Sequence, residues 1–355
     1  VRRDDGTTGS TTRPMPVARR DDTSGTSRTG RVAIGADDTQ GRPVTGSRPR
    51  PTGERGPRPR PEARPNGRAP RTSSAGVGGR DMPSAIAAGL LIAAAFIGAL
   101  MWKPVAVLAI VVLITGLAAV EFFEKVTERG YSPAAVVGIA TSICAPLAAY
   151  WVGEGALPLV FVFAFMASSV TYVGAENVQS SPMPNMAITT LGSTWIGLMG
   201  AYAALIAAVS NVPGATNIGT DTLFIVAVGV VANDVGALFV GSAAGRSPLR
   251  AWISPNKTVE GFLGGALATL VAVWVVSLQS DTWNDIGEVL ILAIVIAVLA
   301  PIGDLVESMF KRNLDIKDFG TVIKGHGGVL DRFDGFLFVL PAAYYLLRVL
   351  EPFAS

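Results

Sequence analysis

Between Ser308 and Asp334 the chain reads SMFKRNLDIKDFGTVIKGHGGVLDRFD, 27 residues flanked on both sides by strongly apolar stretches. This segment gathers Lys311, Arg312, Asp315, Lys317, Asp318, Lys324, His326, Asp331, Arg332 and Asp334, laced with Gly320, Gly325, Gly327 and Gly328. Charges of both signs beside apolar runs suit a site where carboxylates hold a metal and cations hold phosphates. Just upstream, in APIGDLVESMFKR, Asp304, Ser308, Lys311 and Asp315 recur every three or four residues, so one face of a continuing helix is polar. Asp331 and Asp334 are three apart and can share a face in turn. Carboxylates at the ends of two neighbouring helices could converge on a hard cation such as Mg²⁺, which takes one or two carboxylates together with substrate phosphate oxygens. The competing account is structural, with Asp304 and Asp331 paired to Arg312 or Arg332.

The glycines of GHGG permit positive φ and close backbone approach, so Gly327 and Gly328 could line a nest of N–H groups for an anion. His326, the only histidine, could ligate a metal, donate to a phosphate or stabilise the turn. Without a second histidine or a cysteine nearby, an imidazole-based metal site is not expected. A second polar island, SPNKTVEG at 254–261, contains Ser254, Pro255, Lys257 and Thr258. Pro255 favours a turn, and Thr258 can cap a following helix. Lys257 then stands by a helix N-terminus, a place suited to an anion, although a lysine beside a cap is the plainer account. The pair Asn233-Asp234 lies within the apolar AVGVVANDVGALFVG. A carboxylate inside a span costs about 2.5–3.5 kcal/mol on insertion scales and marks a functional site by default. A structural hydrogen bond to a neighbouring helix is the alternative.

The elements that must position these groups are membrane helices. From Ser84 onward come nine apolar runs, at about 84–101, 104–122, 134–152, 156–174, 186–209, 222–243, 262–279, 286–303 and 335–350. Each is near the ~20 residues that cross a bilayer as a helix. The fold class expected is all-α: a polytopic membrane protein of about nine helices over 83–355, preceded by a tail over 1–82. Residues 1–80 hold 17 arginines, no lysine and 8 acidic residues, among many Pro, Gly, Ser and Thr. Such a composition cannot bury enough surface to offset its ordering entropy, so disorder is expected there. About 80 polar residues before the first apolar run do not read as a signal peptide. Nucleic-acid binding by the basic tail is the weaker expectation; an orienting cytoplasmic tail near anionic lipid is the stronger. With the tail inside, four connections on its side carry ten cations against two, Lys103 and Arg348, on the other. This positive-inside asymmetry predicts an inner-membrane protein with its N-terminus and polar segment cytoplasmic and its C-terminus outside. Cys144 stands alone in a span, which excludes a disulfide framework.

The segment 308–334 resembles the signature of the phosphatidate cytidylyltransferases, also called CDP-diacylglycerol synthases. That pattern runs Ser-x-apolar-Lys-Arg, four residues, Lys-Asp-x-small, then a short gap to His-Gly-Gly-apolar-x-Asp-Arg-apolar-Asp. Here it is met by Ser308, Phe310, Lys311, Arg312, Lys317, Asp318, Gly320, Ile323, His326, Gly327, Gly328, Val329, Asp331, Arg332, Phe333 and Asp334. Asn233-Asp234-Val235-Gly236 and Ile253 to Gly261 look like the family's upstream NDxG and SPxKTxEG stretches. Lys324 departs from the pattern, which expects Pro, Gly or Ser there. The resemblance implies the reaction CTP + phosphatidate → CDP-diacylglycerol + diphosphate at the membrane surface. It implies one or two Mg²⁺ ions held by Asp304 and Asp331, with a monovalent cation a further possibility. Lys311, Arg312, Asp318, His326 and Asp334 are the implied catalytic residues. Asn233, Asp234, Ser254, Lys257, Thr258, Ser308, Lys317, Gly327, Gly328 and Arg332 are the implied substrate contacts. Partners are then CTP, phosphatidate and membrane lipids, with no nucleic acid; a homodimer is a further possibility.

Other classes fit less well. A secondary transporter would also have many spans, but places its charges near the midplane between repeats, and no repeat is evident. A CTP-dependent polyprenol-type lipid kinase would use similar parts with a hydroxyl acceptor and a general base, for which Asp318 or His326 could serve. A CDP-alcohol phosphotransferase needs an Asp-Gly-x-x-Ala-Arg motif, which Asp334-Gly335-Phe336-Leu337 fails.

Overall fold

A computed structural model describes residues 82–174, 181–320 and 327–351, with side chains from Gly89 onward. The expected tail, Lys324 and His326 fall outside these residues. All nine apolar runs are helical. They form α1 (Met82–Trp102), α2 (Pro104–Glu128), α3 (Ala135–Val152), α4 (Leu157–Val173), α5 (Pro182–Gly192) continuing into α6 (Met199–Val209), α7 (Ile218–Ala244), α8 (Val259–Ser277), α9 (Ile286–Asn313) and α10 (Leu330–Leu350). Among the described residues, the eight rods from α2 onward are long and apolar enough to cross a membrane, whereas the described apolar run of α1 is the shorter Gly89–Trp102. Between α5 and α6 the rod passes through a π-helical turn, Ser193–Leu198.

Of these eight rods, α5–α6 is the most enclosed and the one containing α4 the least. Side chains on α3, α6, α7, α9 and α10 interlock into one core that includes Ile206, Ile225, Leu292, Ile296 and Leu347. A second core, at the end of the bundle that carries the polar segment, is aromatic: Phe122 and Phe123 of α2, Trp195 and Phe319. Phe310 and Phe319 both face the Trp195 ring, at centroid separations of 5.0 and 6.2 Å.

Three features differ from the sequence expectation. The connection before α8 is not purely irregular: Pro248–Arg250 (β1) pairs antiparallel with Ser254–Thr258 (β2). Pro255 keeps this stretch out of the helix, and the backbone pairs locally instead. The eighth apolar run ends near 303, and its helix α9 continues past it, as the periodic polar face implied, but only as far as Asn313. Hydropathy falls there while helical periodicity does not, and Lys311 and Arg312 in the last turn complement the helix dipole. The polar face expected through Asp315 therefore stops short of it; Asp315 has left the helix with φ of 51°. Finally, α10 starts at Leu330, so Asp331 and Asp334 lie in its first turns.

Candidate active site

The last turns of α9 and the first turns of α10 meet because there is no side chain between them. A Cβ built on Gly303 would lie 2.5 Å from the Asp334 carbonyl oxygen and 3.1 Å from Gly335 Cα. Only glycine permits that approach, and it sets Asp304 beside Asp334. Glu307, one turn along α9 from Asp304, completes a group: one oxygen from each of Asp304, Glu307 and Asp334 lies within 4.8 Å of the others. Glu307 is 1% exposed, and its Oε1 has no hydrogen-bond partner among the described residues. Three convergent carboxylates, one with an orphaned buried oxygen and with no histidine or cysteine in the group, fit a hard divalent cation such as Mg²⁺.

Cations offset this negative charge. Lys257, at the end of β2, places Nζ 2.5 Å from Asp304 Oδ1 and donates to Ser308 Oγ at 3.1 Å. Lys311 pairs with Glu307 and, at 3.1 Å, with Asp331 Oδ1. Arg312 donates Nε–H to the Ile253 carbonyl at 3.0 Å, tying the end of α9 to the hairpin. Thr258 caps α8 by accepting the Gly261 N–H at 3.1 Å, which fixes the strand that presents Lys257. Glu260 accepts the N–H groups of Arg246 and Ser247, closing the turn into the hairpin.

The structure brings Lys257, Asp304, Ser308, Lys311, Asp331 and Asp334 together. Asp331 stands beside the three-carboxylate group rather than within it. Its Oδ2 accepts N–H bonds from Phe319 and Gly328, and its Oδ1 is shared with Lys311. Asp234, expected as a buried carboxylate, is exposed, with Asp304, Lys257 and Arg332 as charged neighbours. Asn233 turns to the α7–α8 contact: it is 2% exposed and donates to Thr269 Oγ1 at 3.0 Å. Ser254 is half-buried in β2, paired in register with Arg250. Arg332, Lys317 and Asp318 are exposed, and Gly327 adopts φ of +90°, the left-handed conformation foreseen for the nest.

Two acidic residues were not foreseen. Glu307 sits three residues after Asp304 and four before Lys311, so the helical spacing already applied to that face points to it. Glu121 carries no comparable signal, being a single acid near the end of an apolar span.

The family model for the cytidylyltransferase family matches residues 84–350. A phosphatidate cytidylyltransferase from Mycobacterium bovis is 30% identical over 290 residues, covering 77% of this chain and 90% of that protein. One from Bacillus subtilis is 44% identical over 131 residues, and one from Staphylococcus epidermidis 46% identical over 114. These shorter matches cover 37% and 32% of this chain, which thus spans about half the length of those relatives, 49% and 44%. With the family model covering most of the chain and a relative matched along nearly its full length, the protein belongs to the cytidylyltransferase family.

Proposed function

We propose that the protein transfers the CMP moiety of CTP to phosphatidate, giving CDP-diacylglycerol and diphosphate, at the cytoplasmic face of a membrane. The observation that carries this reading is the meeting of Asp304, Glu307 and Asp334 with Lys257 and Lys311 where α9 joins α10. A phosphatidate phosphate oxygen attacks the α-phosphorus of CTP. A new P–O bond forms, and the bond from the α-phosphorus to the bridging oxygen breaks, releasing diphosphate. That oxygen is already anionic near neutral pH, so no base is needed; the protein must align two polyanions and offset their charge.

Asp304, Glu307 and Asp334, with Asp331 held next to them by Lys311, are the residues that would hold a divalent ion. Bound there, such an ion supplies charge neutralisation at the phosphates of CTP. Lys257, Lys311 and Arg312 are the cations assigned to phosphate oxygens, with Ser308 hydrogen-bonding beside Lys257. The β1–β2 hairpin and the Thr258 cap hold Lys257 in register. Exposed Arg332, Lys317 and Asp318 flank the same segment, and the cation asymmetry of the connections supports a cytoplasmic site. The lipid headgroup and water-soluble CTP can meet at that level.

Purified protein given labelled CTP, phosphatidate and Mg²⁺ should form a lipid-linked CMP and release diphosphate in equal amounts. Release of CDP with a phosphorylated lipid instead would make it a CTP-dependent kinase and overturn the reading.

A further inference from the structure

Glu121 lies on α2, far in sequence from the polar segment, and is 3% exposed. Its chain neighbours Phe122 and Phe123 and its partners Val329 and Leu330 all belong to the apolar core that also holds Trp195 and Phe319. An acid in such surroundings is costly unless it is well partnered. Its partners are backbone: Oε1 accepts the Val329 N–H at 2.9 Å and Oε2 accepts the Leu330 N–H at 3.0 Å. These are donors that the start of α10 leaves without an intrahelical acceptor. Val329 occupies the cap position and has no side-chain acceptor, so α10 cannot cap itself. Glu121 supplies the missing cap from another helix, with a charge suited to the dipole.

The glycines of the segment are shaped to this carboxylate. A Cβ on Gly328 would stand 2.7 Å from Glu121 Oε2, 2.9 Å from Asp331 Oδ2 and 2.6 Å from the Gly320 nitrogen. A Cβ on Gly320 would run into the Glu121 carboxyl itself. Gly320 and Gly328 therefore close on each other over Glu121, and Asp331 ties the same two places through its bonds from Phe319 and Gly328. Beyond Glu121, at the C-terminal cap of the same helix, Arg129 holds an earlier part of the segment: it donates to the Asp315 carbonyl, with the Asp315 carboxylate 3.6 Å away.

We infer that Glu121 is a positioning residue of the transfer site, fixing the first turn of α10 and with it Asp331 and Asp334. It acts through the backbone and does not touch substrate. Only the activity arm of its test rests on the proposed reaction; amide exchange of the peptide spanning 327–335 tests the contact directly.

Glu121→Ala in detergent-solubilised full-length protein should speed exchange at Val329 and Leu330. It should also lower kcat by about a hundredfold, the cost of a misplacement near 1 Å, while KM for CTP changes far less. Glu121→Gln keeps one acceptor but turns an NH2 group toward the second N–H and loses the charge, so its exchange and turnover should fall between those of the wild type and the Ala variant. If Glu121→Ala cannot be purified folded, Glu121→Asp, too short to reach both N–H groups, should show the same two changes in weaker form. Unchanged exchange and turnover in the Ala variant, or in the Asp variant where Ala does not fold, overturns the inference. Faster exchange with unimpaired turnover also overturns it, leaving Glu121 a helix cap alone. Absence of transferase activity in the wild type, with exchange behaving as expected, would instead count against the proposed reaction.

Discussion

Lys257 and Asp304 meet across two elements, with Nζ 2.5 Å from Oδ1, although 47 positions separate them in the chain. One comes from the strand entering α8 and the other from the interior of α9. Their contact joins the SPNKT stretch to the segment 304–334 as one site. Removing the Lys257 charge should therefore act on chemistry: Lys257→Ala should lower the rate at saturating CTP by about a hundredfold with the protein folded. Thr258→Ala separates this from capping, since it should cost about 1 kcal/mol of stability and leave most of the turnover. Steady-state rates and thermal melts of both variants check this. A fully active Lys257→Ala would leave the stretch a helix cap only.

Asp304→Asn and Asp331→Asn should each abolish measurable turnover while the helices remain folded. Binding of Mn²⁺, followed by its paramagnetic resonance signal, should weaken at least about tenfold in each. Near-normal rates and unchanged Mg²⁺ dependence in both would remove these carboxylates from the metal assignment.

Gly303→Ala inserts a methyl group against the Asp334 carbonyl. It should destabilise the protein by about 1–3 kcal/mol and also depress turnover, because α9 and α10 must separate. Alanine at an exposed α9 position such as Ile302 should leave turnover nearly unchanged, and comparing the two rates and melting temperatures tests the point.

None of the residues gathered at the site lies in the first 81. Deleting them should leave turnover in detergent within a few-fold of the full chain. A much larger loss with intact spans would show that the tail contributes to the site.

The nine helices were legible because a bilayer demands long apolar runs, and hydropathy reads those directly. The pairing of Asp304 with the start of α10 was legible from helical spacing and from polar residues at the ends of two adjacent spans. What hydropathy could not carry was continuation: α9 keeps its helix through Glu307 and Lys311 after its apolar character ends. The π-helical turn at Ser193–Leu198 has no composition of its own to announce it. Asn233 and Asp234 are adjacent, so successive directions around a helix send one into the α7–α8 contact and the other toward Lys257 and Asp304. Glu121 depends on a partner more than two hundred residues away that is backbone, and backbone leaves no trace in side-chain pattern.

The contact between Gly303 and the Asp334–Gly335 peptide has a mechanical consequence. Lateral pressure in a bilayer squeezes helices together, and side chains yield to it by changing rotamer. Two main chains already touching have nothing left to compress. The spacing of Asp304 and Asp334 should therefore respond less to acyl composition and membrane tension than the placement of the little-enclosed α4. With the proposed reaction at this site, the distance between the groups assigned to the metal would stay constant while the membrane around it changes.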